Sequence, residues 1–268
     1  MDVWTYFASI PPHVHTSKPE SCYRIRYNRA RSLRPSSFVM PPSPEPSTTT
    51  SPARPPLDRA APSDLETADV ALGCFWGPDA LFGAMDGVVR TCVGYAGGTT
   101  DAPTYDDIGD HIETVRVTYD PDRCAYTALL DRFWAAHDPT RAPFKRQYQS
   151  ALFPRTPAQC EQARASRATQ ADRHDDPLTT EIIEDAPFHR AEAYHQKHKL
   201  RRHPSLLEAV RAWYPDETAF TDAPTAALLN GYVGGHRAPD RLADDLPRLA
   251  LPTDAAETLR ALAERRHD

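Results

Sequence analysis

Cys74 stands where a cysteine can do chemistry. A short apolar run, Ala68-Asp69-Val70-Ala71-Leu72, ends in Gly73, and Phe75-Trp76-Gly77-Pro78-Asp79-Ala80-Leu81-Phe82 follows. The pattern reads as a strand turning into a helix. A cysteine at the start of a helix sits among unpaired backbone N–H groups, whose partial positive charge favours the thiolate, the nucleophilic form. The same residue can also be a small buried hydrophobe, the usual fate of a free cysteine. None of Cys22, Cys92, Cys124 and Cys160 has such a setting. The cysteines are odd in number and scattered, with no C-x-x-C spacing, so neither a zinc site nor a redox dithiol is expected. A reducing compartment is the simplest setting. A cysteine hydrolase or acyl transferase would need a histidine base, and neither His111 nor His137 lies in a motif of that kind.

The elements that must position Cys74 follow from periodicity. Val88 to Val93 and Thr114 to Tyr119 read as strands; the second alternates Val115, Val117 and Tyr119 with Thr114, Arg116 and Thr118, which predicts one buried face. Leu129, Leu130, Phe133 and Trp134 recur at helical spacing between Tyr126 and His137, and Asp138-Pro139 ends that helix. Gln149 to Phe153 returns to strand, Pro157 opens a polar helix to about Asp172, Thr179 to Glu184 is a strand, and Ala191 to Arg202 is helical. Strands and helices interleave, which predicts an α/β or α+β sandwich. Beyond Pro215 the pattern weakens into loops, with Asp254 to Arg265 as a closing helix.

The 268 residues, 40% of them hydrophobic, suffice for one substantial core. Residues 1–66 hold 12 of the 27 prolines and a Pro/Ser/Thr tract over 41–50. They read as a disordered extension, because such a segment buries too little surface to offset its ordering entropy. The expected organisation is therefore an extension over 1–66, one domain over 67–215, and loops with a helix over 216–268. The net charge of −6 is uneven, with eight basic against six acidic residues in 1–66 and 23 against 31 in the remainder. That acidic excess argues against nucleic acid as a partner. No apolar run approaches a membrane span and no secretory signal opens the chain, so a cytoplasmic protein without membrane association is expected.

The blocks around Cys74 have a specific likeness. Gly73-Cys74-Phe75-Trp76-Gly77 resembles the signature of the A-type peptide methionine sulfoxide reductases, and further blocks agree in the same order. These are Gly94-Tyr95-Ala96-Gly97-Gly98, Pro103-Thr104-Tyr105, His111-Ile112-Glu113-Thr114-Val115, Tyr119-Asp120-Pro121, His137-Asp138-Pro139-Thr140, Gln147-Tyr148-Gln149-Ser150 and Ala191-Glu192-Ala193-Tyr194-His195-Gln196-Lys197. The resemblance spans about residues 68–200. It implies a two-layer α+β sandwich around a mixed sheet with a ferredoxin-like core, and reduction of methionine-S-sulfoxide, free or in proteins, through a sulfenic acid on Cys74. It further implies that Glu113 protonates the sulfoxide oxygen, that Tyr105 and Tyr148 bind that oxygen, and that Phe75 and Trp76 hold the methyl group. Each has a plainer reading beside it: core aromatics for Phe75 and Trp76, surface glutamate for Glu113, structural tyrosine for Tyr105 and Tyr148. His111 shares a block with Glu113 but is left out of the catalytic set. No metal or organic cofactor is implied; electrons come from an external, thioredoxin-like thiol.

Two departures matter. Where the family usually has a glycine-rich loop with an aspartate, this chain has only Arg141-Ala142-Pro143-Phe144-Lys145-Arg146, without an acid. Where many members carry a resolving cysteine after an Asn-Gly-Tyr, Asn230-Gly231-Tyr232 is followed by Val233, and no cysteine lies beyond Cys160. A one-cysteine mechanism is therefore expected. The competing reading is a redox sensor or sulfoxide-binding module that keeps the pocket without sustained turnover.

Overall fold

Alternating β-branched residues place Glu66–Leu72 (β1), Val88–Ala96 (β2) and Ile112–Tyr119 (β3) side by side in the order β1-β3-β2, all antiparallel. The computed structural model describes residues 54–265. The extension expected over residues 1–66 lies outside the described residues as far as 53, and its last part belongs to the fold. Pro56–Arg59 (α1) is a helical turn whose Asp58 accepts hydrogen bonds from the Tyr214 hydroxyl and the Thr225 N–H, and Glu66 already opens β1.

Between β1 and β2 runs Trp76–Gly83 (α2), and Tyr126–Ala135 (α3) follows β3. Ser150–Phe153 (β4) pairs with β1, and after Pro157–Ala171 (α4) the two-residue Glu181–Ile182 (β5) pairs with β4 in parallel. Phe188–Arg190 (β6), a strand too short to leave a period in the sequence, pairs with β2. The six-stranded sheet is thus mixed, in the order β5-β4-β1-β3-β2-β6. With helices packed on one face, it is the expected α+β architecture.

The helix-side core joins Val70, Val115, Val117 and Tyr119 of the sheet to Phe82, Leu129, Phe133 and Ala163 of the helices. The opposite face is not open as the alternation predicted. Thr114 and Thr118 are buried too, Arg116 is paired with the buried Asp69 and lies over the Phe188 ring at 4.1 Å, and Ile112, Ala151 and Phe153 form a second small cluster with Ile183 and Ala186. On that face the Thr114 hydroxyl donates to the Ile112 carbonyl and Arg116 donates to both Asp69 carboxylate oxygens.

Two further expectations need correction. The helix expected from Ala191 to Arg202 is a single turn at Ala193–His195 and the short His198–Arg201 (α5), broken where Lys197 adopts a left-handed φ of 54°. Tertiary hydrogen bonds override helix propensity here: the Gln196 side chain bonds both the N–H and the C=O of Val93, as a neighbouring strand would. The chain beyond Pro215 is not mainly loop. Pro204–Arg211 (α6), Glu217–Thr221 (α7), Pro224–Gly234 (α8), Leu242–Leu249 (α9) and Thr253–Glu264 (α10) share a second hydrophobic core. Helix α8 presses against α2 so closely that a Cβ on Gly83 would meet the Ala227 carbonyl at 2.6 Å, and one on Gly231 would meet Ala84 at 2.8 Å.

Candidate active site

The site begins at the turn from β1 into α2. Gly73 makes that turn at φ +75°, a conformation that suits glycine because it has no Cβ. Cys74 follows, half-buried, and Phe75 precedes the first helical residue with its N–H directed outward from the helix start. That N–H donates to Glu113 Oε2 at 3.1 Å, and Gln147 Nε2 donates to Oε1 at 2.9 Å. Glu113 comes from β3, is 1% exposed, and lies on the helix-side face with Val115 and Val117. The sheet therefore carries the acid and the strand-to-helix turn carries the thiol, close enough for Cys74 to feel the charge of Glu113.

The electrostatics differ from the expected thiolate. Burial first, and then the charge of Glu113, push the Cys74 thiol up to about 11, against smaller opposing contributions from the Trp76 backbone N–H and the Lys199 charge. The N–H groups of the helix start are present, but desolvation outweighs them. Burial also pushes the Glu113 carboxyl above its ordinary range, against the hydrogen bonds it accepts from Gln147 and the Phe75 N–H. The resting site therefore favours a neutral thiol beside a carboxyl with raised proton affinity.

Tyr105 and Tyr148 lie close enough to feel the charges of this pair. Both phenols are raised chiefly by burial and next by the charge of Glu113, with Cys74 contributing as well, and Tyr148 reaches about 12. At neutral pH both are O–H donors. The two aromatics after Cys74 are placed differently from each other. Phe75 is buried in the main core against Tyr95 and His195, with ring centroids 6.0 and 5.1 Å away, so its plainer reading as a core aromatic describes it well. Trp76 is half-buried, stacked on His198 at 3.7 Å, and donates from Nε1 to His195 Nδ1 at 3.2 Å. Accepting at Nδ1 leaves the proton of a neutral His195 on Nε2, which has no hydrogen-bond partner among the described residues.

Several supporting residues lie in the blocks that carry the resemblance but have no role assigned there. Gln147 holds the carboxyl, and Glu192 accepts from the Tyr95 hydroxyl at 2.8 Å and the Tyr105 N–H at 2.9 Å, fixing the Tyr105 loop to the 191–197 segment. Beneath α2 the fully buried Lys197 Nζ donates to Asp79 Oδ1 at 2.9 Å, the Thr91 carbonyl at 2.6 Å and the Thr91 hydroxyl at 2.8 Å. Asn230 of α8 donates to Asp79 Oδ2 at 3.1 Å and accepts the Leu200 N–H at 3.0 Å. His111, left out of the catalytic set, instead accepts the Gly98 N–H at Nδ1 and contacts the Thr100 carbonyl at Nε2, fastening the 98–100 loop. Cys92, Cys124 and Cys160 are buried, and Cys22 lies outside the described residues. No group of metal-ligating side chains occurs among the described residues.

The family model for peptide methionine sulfoxide reductase matches residues 66–224. The chain belongs to this family. A peptide methionine sulfoxide reductase of Drosophila melanogaster is 40% identical over 171 residues, covering 63% of this chain and 68% of its own. One from Methanoculleus marisnigri is 43% identical over 155 residues, covering 53% of this chain and 94% of its own. Among solved structures, methionine sulfoxide reductase A of Corynebacterium diphtheriae is similar with 32% identity and a TM-score of 0.47, covering 55% of this chain and 78% of that one. The chain is accordingly a peptide-methionine (S)-S-oxide reductase, an oxidoreductase that reduces methionine sulfoxide at the expense of thiols. The sensor reading is not favoured. The family match stops at the start of α8, so most of the helix that supplies Asn230 lies beyond it.

Proposed function

We propose that Cys74 is the nucleophile of this reduction, Glu113 the acid, Tyr105 and Tyr148 the donors to the sulfoxide oxygen, and Trp76, backed by Phe75, the apolar wall for the methyl group. The observation that carries this reading is the buried Glu113 carboxyl beside Cys74, which accepts at 3.1 Å the Phe75 N–H of the turn that carries the thiol. Thiol and carboxylic acid together hold the protons that an attack on a sulfoxide needs.

The Cys74 sulfur forms a bond to the sulfoxide sulfur as Glu113 delivers its proton to the oxygen and recovers one from the thiol. Collapse of the adduct breaks both the bond between the two sulfurs and the bond from substrate sulfur to oxygen, as the hydroxyl passes to the Cys74 sulfur and the sulfur–sulfur electron pair returns to the substrate. Methionine leaves, reduced by two electrons, and Cys74 becomes a sulfenic acid, oxidised by two. One external thiol then displaces water from the sulfenic acid to give a mixed disulfide, and a second releases Cys74 as thiol. All electrons come from these thiols, so the scheme calls for no metal or organic cofactor.

A thioredoxin-like dithiol in a reducing cytoplasm suits the second half. The burial of Cys92, Cys124 and Cys160 supports an external reductant over an internal resolving cysteine. The substrates are oxidised proteins and peptides, with free methionine sulfoxide as the minimal form. Among the described residues no helix is long and apolar enough to cross a membrane, and the acidic balance disfavours nucleic acid.

Steady-state methionine release from the separate S and R epimers, with dithiothreitol, tests the assignment. Turnover of the S epimer alone, abolished in Cys74→Ser, is expected. Undiminished turnover by folded Cys74→Ser would overturn the role of Cys74.

A further inference from the structure

Three large hydrophobic side chains are exposed among the described residues: Tyr105 at 40%, Tyr194 at 56% and Phe144 at 73%. Exposed apolar side chains scattered singly need no explanation, but these gather at one place. Tyr105 and Tyr194 both rest on His195, with centroids at 4.7 and 4.1 Å, and Phe144 rests on Tyr148 at 5.0 Å. Tyr148 follows Gln147, which donates to Glu113 at 2.9 Å, and its carbonyl oxygen would lie 4.0 Å from a Cβ on Gly73, the residue before Cys74; both phenols also feel the charges of Glu113 and Cys74. The rings therefore line the approach to the thiol, with Phe144 one ring further out than Tyr148.

Phe144 is the most exposed of the three and is held there by its surroundings. Its segment is pinned on one side by Thr179, whose hydroxyl donates to the Pro139 and Arg141 carbonyls, and on the other by the Arg146–Glu181 ion pair and the turn in which the Tyr148 N–H bonds the Lys145 carbonyl. An aromatic ring kept in water by a fastened loop, beside a site, is preorganised to cover an apolar partner. This is the same shortened stretch, 141–146, that carries no acid.

We propose that Phe144 is a specificity-determining residue, a subsite for an apolar side chain next to methionine sulfoxide in an unfolded polypeptide. The inference rests on the reading of Cys74, Tyr105 and Tyr148 given above. Its chemical logic lies in the substrate. Oxidation makes a methionine polar and disrupts the core that held it, so a damaged segment presents its sulfoxide together with apolar neighbours that were buried beside it. A ring just beyond the sulfoxide-binding tyrosines takes such a neighbour out of water, whereas a free amino acid has none to offer.

The test compares acetyl-Phe-Met(O)-Phe-amide with acetyl-Gly-Met(O)-Gly-amide, both as S-sulfoxides and with dithiothreitol as reductant. Wild type is expected to favour the Phe-flanked peptide by about tenfold in kcat/KM. Phe144→Ala should bring that ratio close to one, and Phe144→Leu should restore part of it. In parallel, binding of the Phe-flanked peptide by Cys74→Ser is measured with and without Phe144→Ala. This readout needs no turnover, so it separates failure of the subsite from failure of the proposed chemistry; binding about tenfold weaker in the double variant is expected. A wild type without flank preference, or a ratio and affinity unchanged by Phe144→Ala, overturns the proposal. So does an unchanged ratio accompanied by slower recycling with thioredoxin alone, which would make Phe144 part of the reductant's docking surface.

Discussion

The Glu113 carboxyl accepts the N–H of Phe75 at 3.1 Å and so sits beside the Cys74 thiol, and burial raises the proton affinity of both. The charge of Glu113 also opposes ionisation of the thiol, because two adjacent anions in a desolvated site repel. The consequence is that the proposed nucleophile is stored in its protonated form until a substrate oxygen can take a proton.

Glu113→Gln separates the two halves of that relationship. The amide cannot give up a proton, so kcat/KM should fall by roughly 10²- to 10⁴-fold. The thiol, freed of the neighbouring negative charge, should at the same time ionise more easily. Alkylation of Cys74 by iodoacetamide at fixed pH should therefore be faster in the variant than in wild type. An alkylation rate that falls along with activity would contradict the coupling.

The raised thiols also set an alkaline limit to stability. Cys74 and Cys92 are both lifted from 9.0 to about 11, in each case chiefly by burial. Between those values the unfolded chain has released protons that the folded chain retains, so the stabilisation is fully present below pH 9 and is lost as pH rises towards 11. Urea midpoints should decline across this window, and Cys92→Ala should decline less steeply.

Gly73 bears on the position of Cys74 through its backbone. A Cβ there would find space, the nearest atom being the Tyr148 carbonyl oxygen at 4.0 Å, so the constraint is the φ of +75° and not a clash. Gly73→Ala should cost about 1–2 kcal/mol of strain. Because the shift falls on the residue before the nucleophile, activity should drop about tenfold in protein that is still folded. Urea unfolding and S-epimer kinetics on the same preparation check both.

The Asp79, Lys197 and Asn230 cluster ties α2 to α8. Lys197→Met leaves Asp79 buried without its cation and should destabilise by about 3–5 kcal/mol. Asn230→Ala removes one neutral donor to Asp79 and the acceptor of the Leu200 N–H, and should cost about 1–3 kcal/mol. Urea denaturation orders the two, and an Asn230 variant as stable as wild type would show that α8 is not held to α2 through this bond.

The chain shows plainly which parts of such a fold announce themselves. Val115, Val117 and Tyr119 alternate along β3, and Leu129, Leu130, Phe133 and Trp134 recur along α3, because each element packs a regular face. Helix α8 does not, since Thr225 to Val233 are buried on every side and leave no amphipathic period, while Gly231, against which Ala84 packs, looks like a helix breaker. Cys74 was legible from the strand-glycine-cysteine order together with its blocks. The depth of Glu113 was not, as a glutamate on a strand reads as solvent-facing, and only the folded sheet carries it to 1% exposure beneath the Phe75 N–H. The raised thiol had the same cause: the helix start was visible, the desolvation around it was not.

The most direct test of Cys74 as sole nucleophile is a single turnover without reductant, read by mass spectrometry with dimedone trapping. Fully reduced protein mixed with methionine-S-sulfoxide should release one equivalent of methionine and become one oxygen heavier, with the oxygen and the dimedone adduct at Cys74 and no thiol lost elsewhere. Release of methionine accompanied by loss of two thiols to an internal disulfide, or by an adduct at any cysteine other than Cys74, would contradict the account.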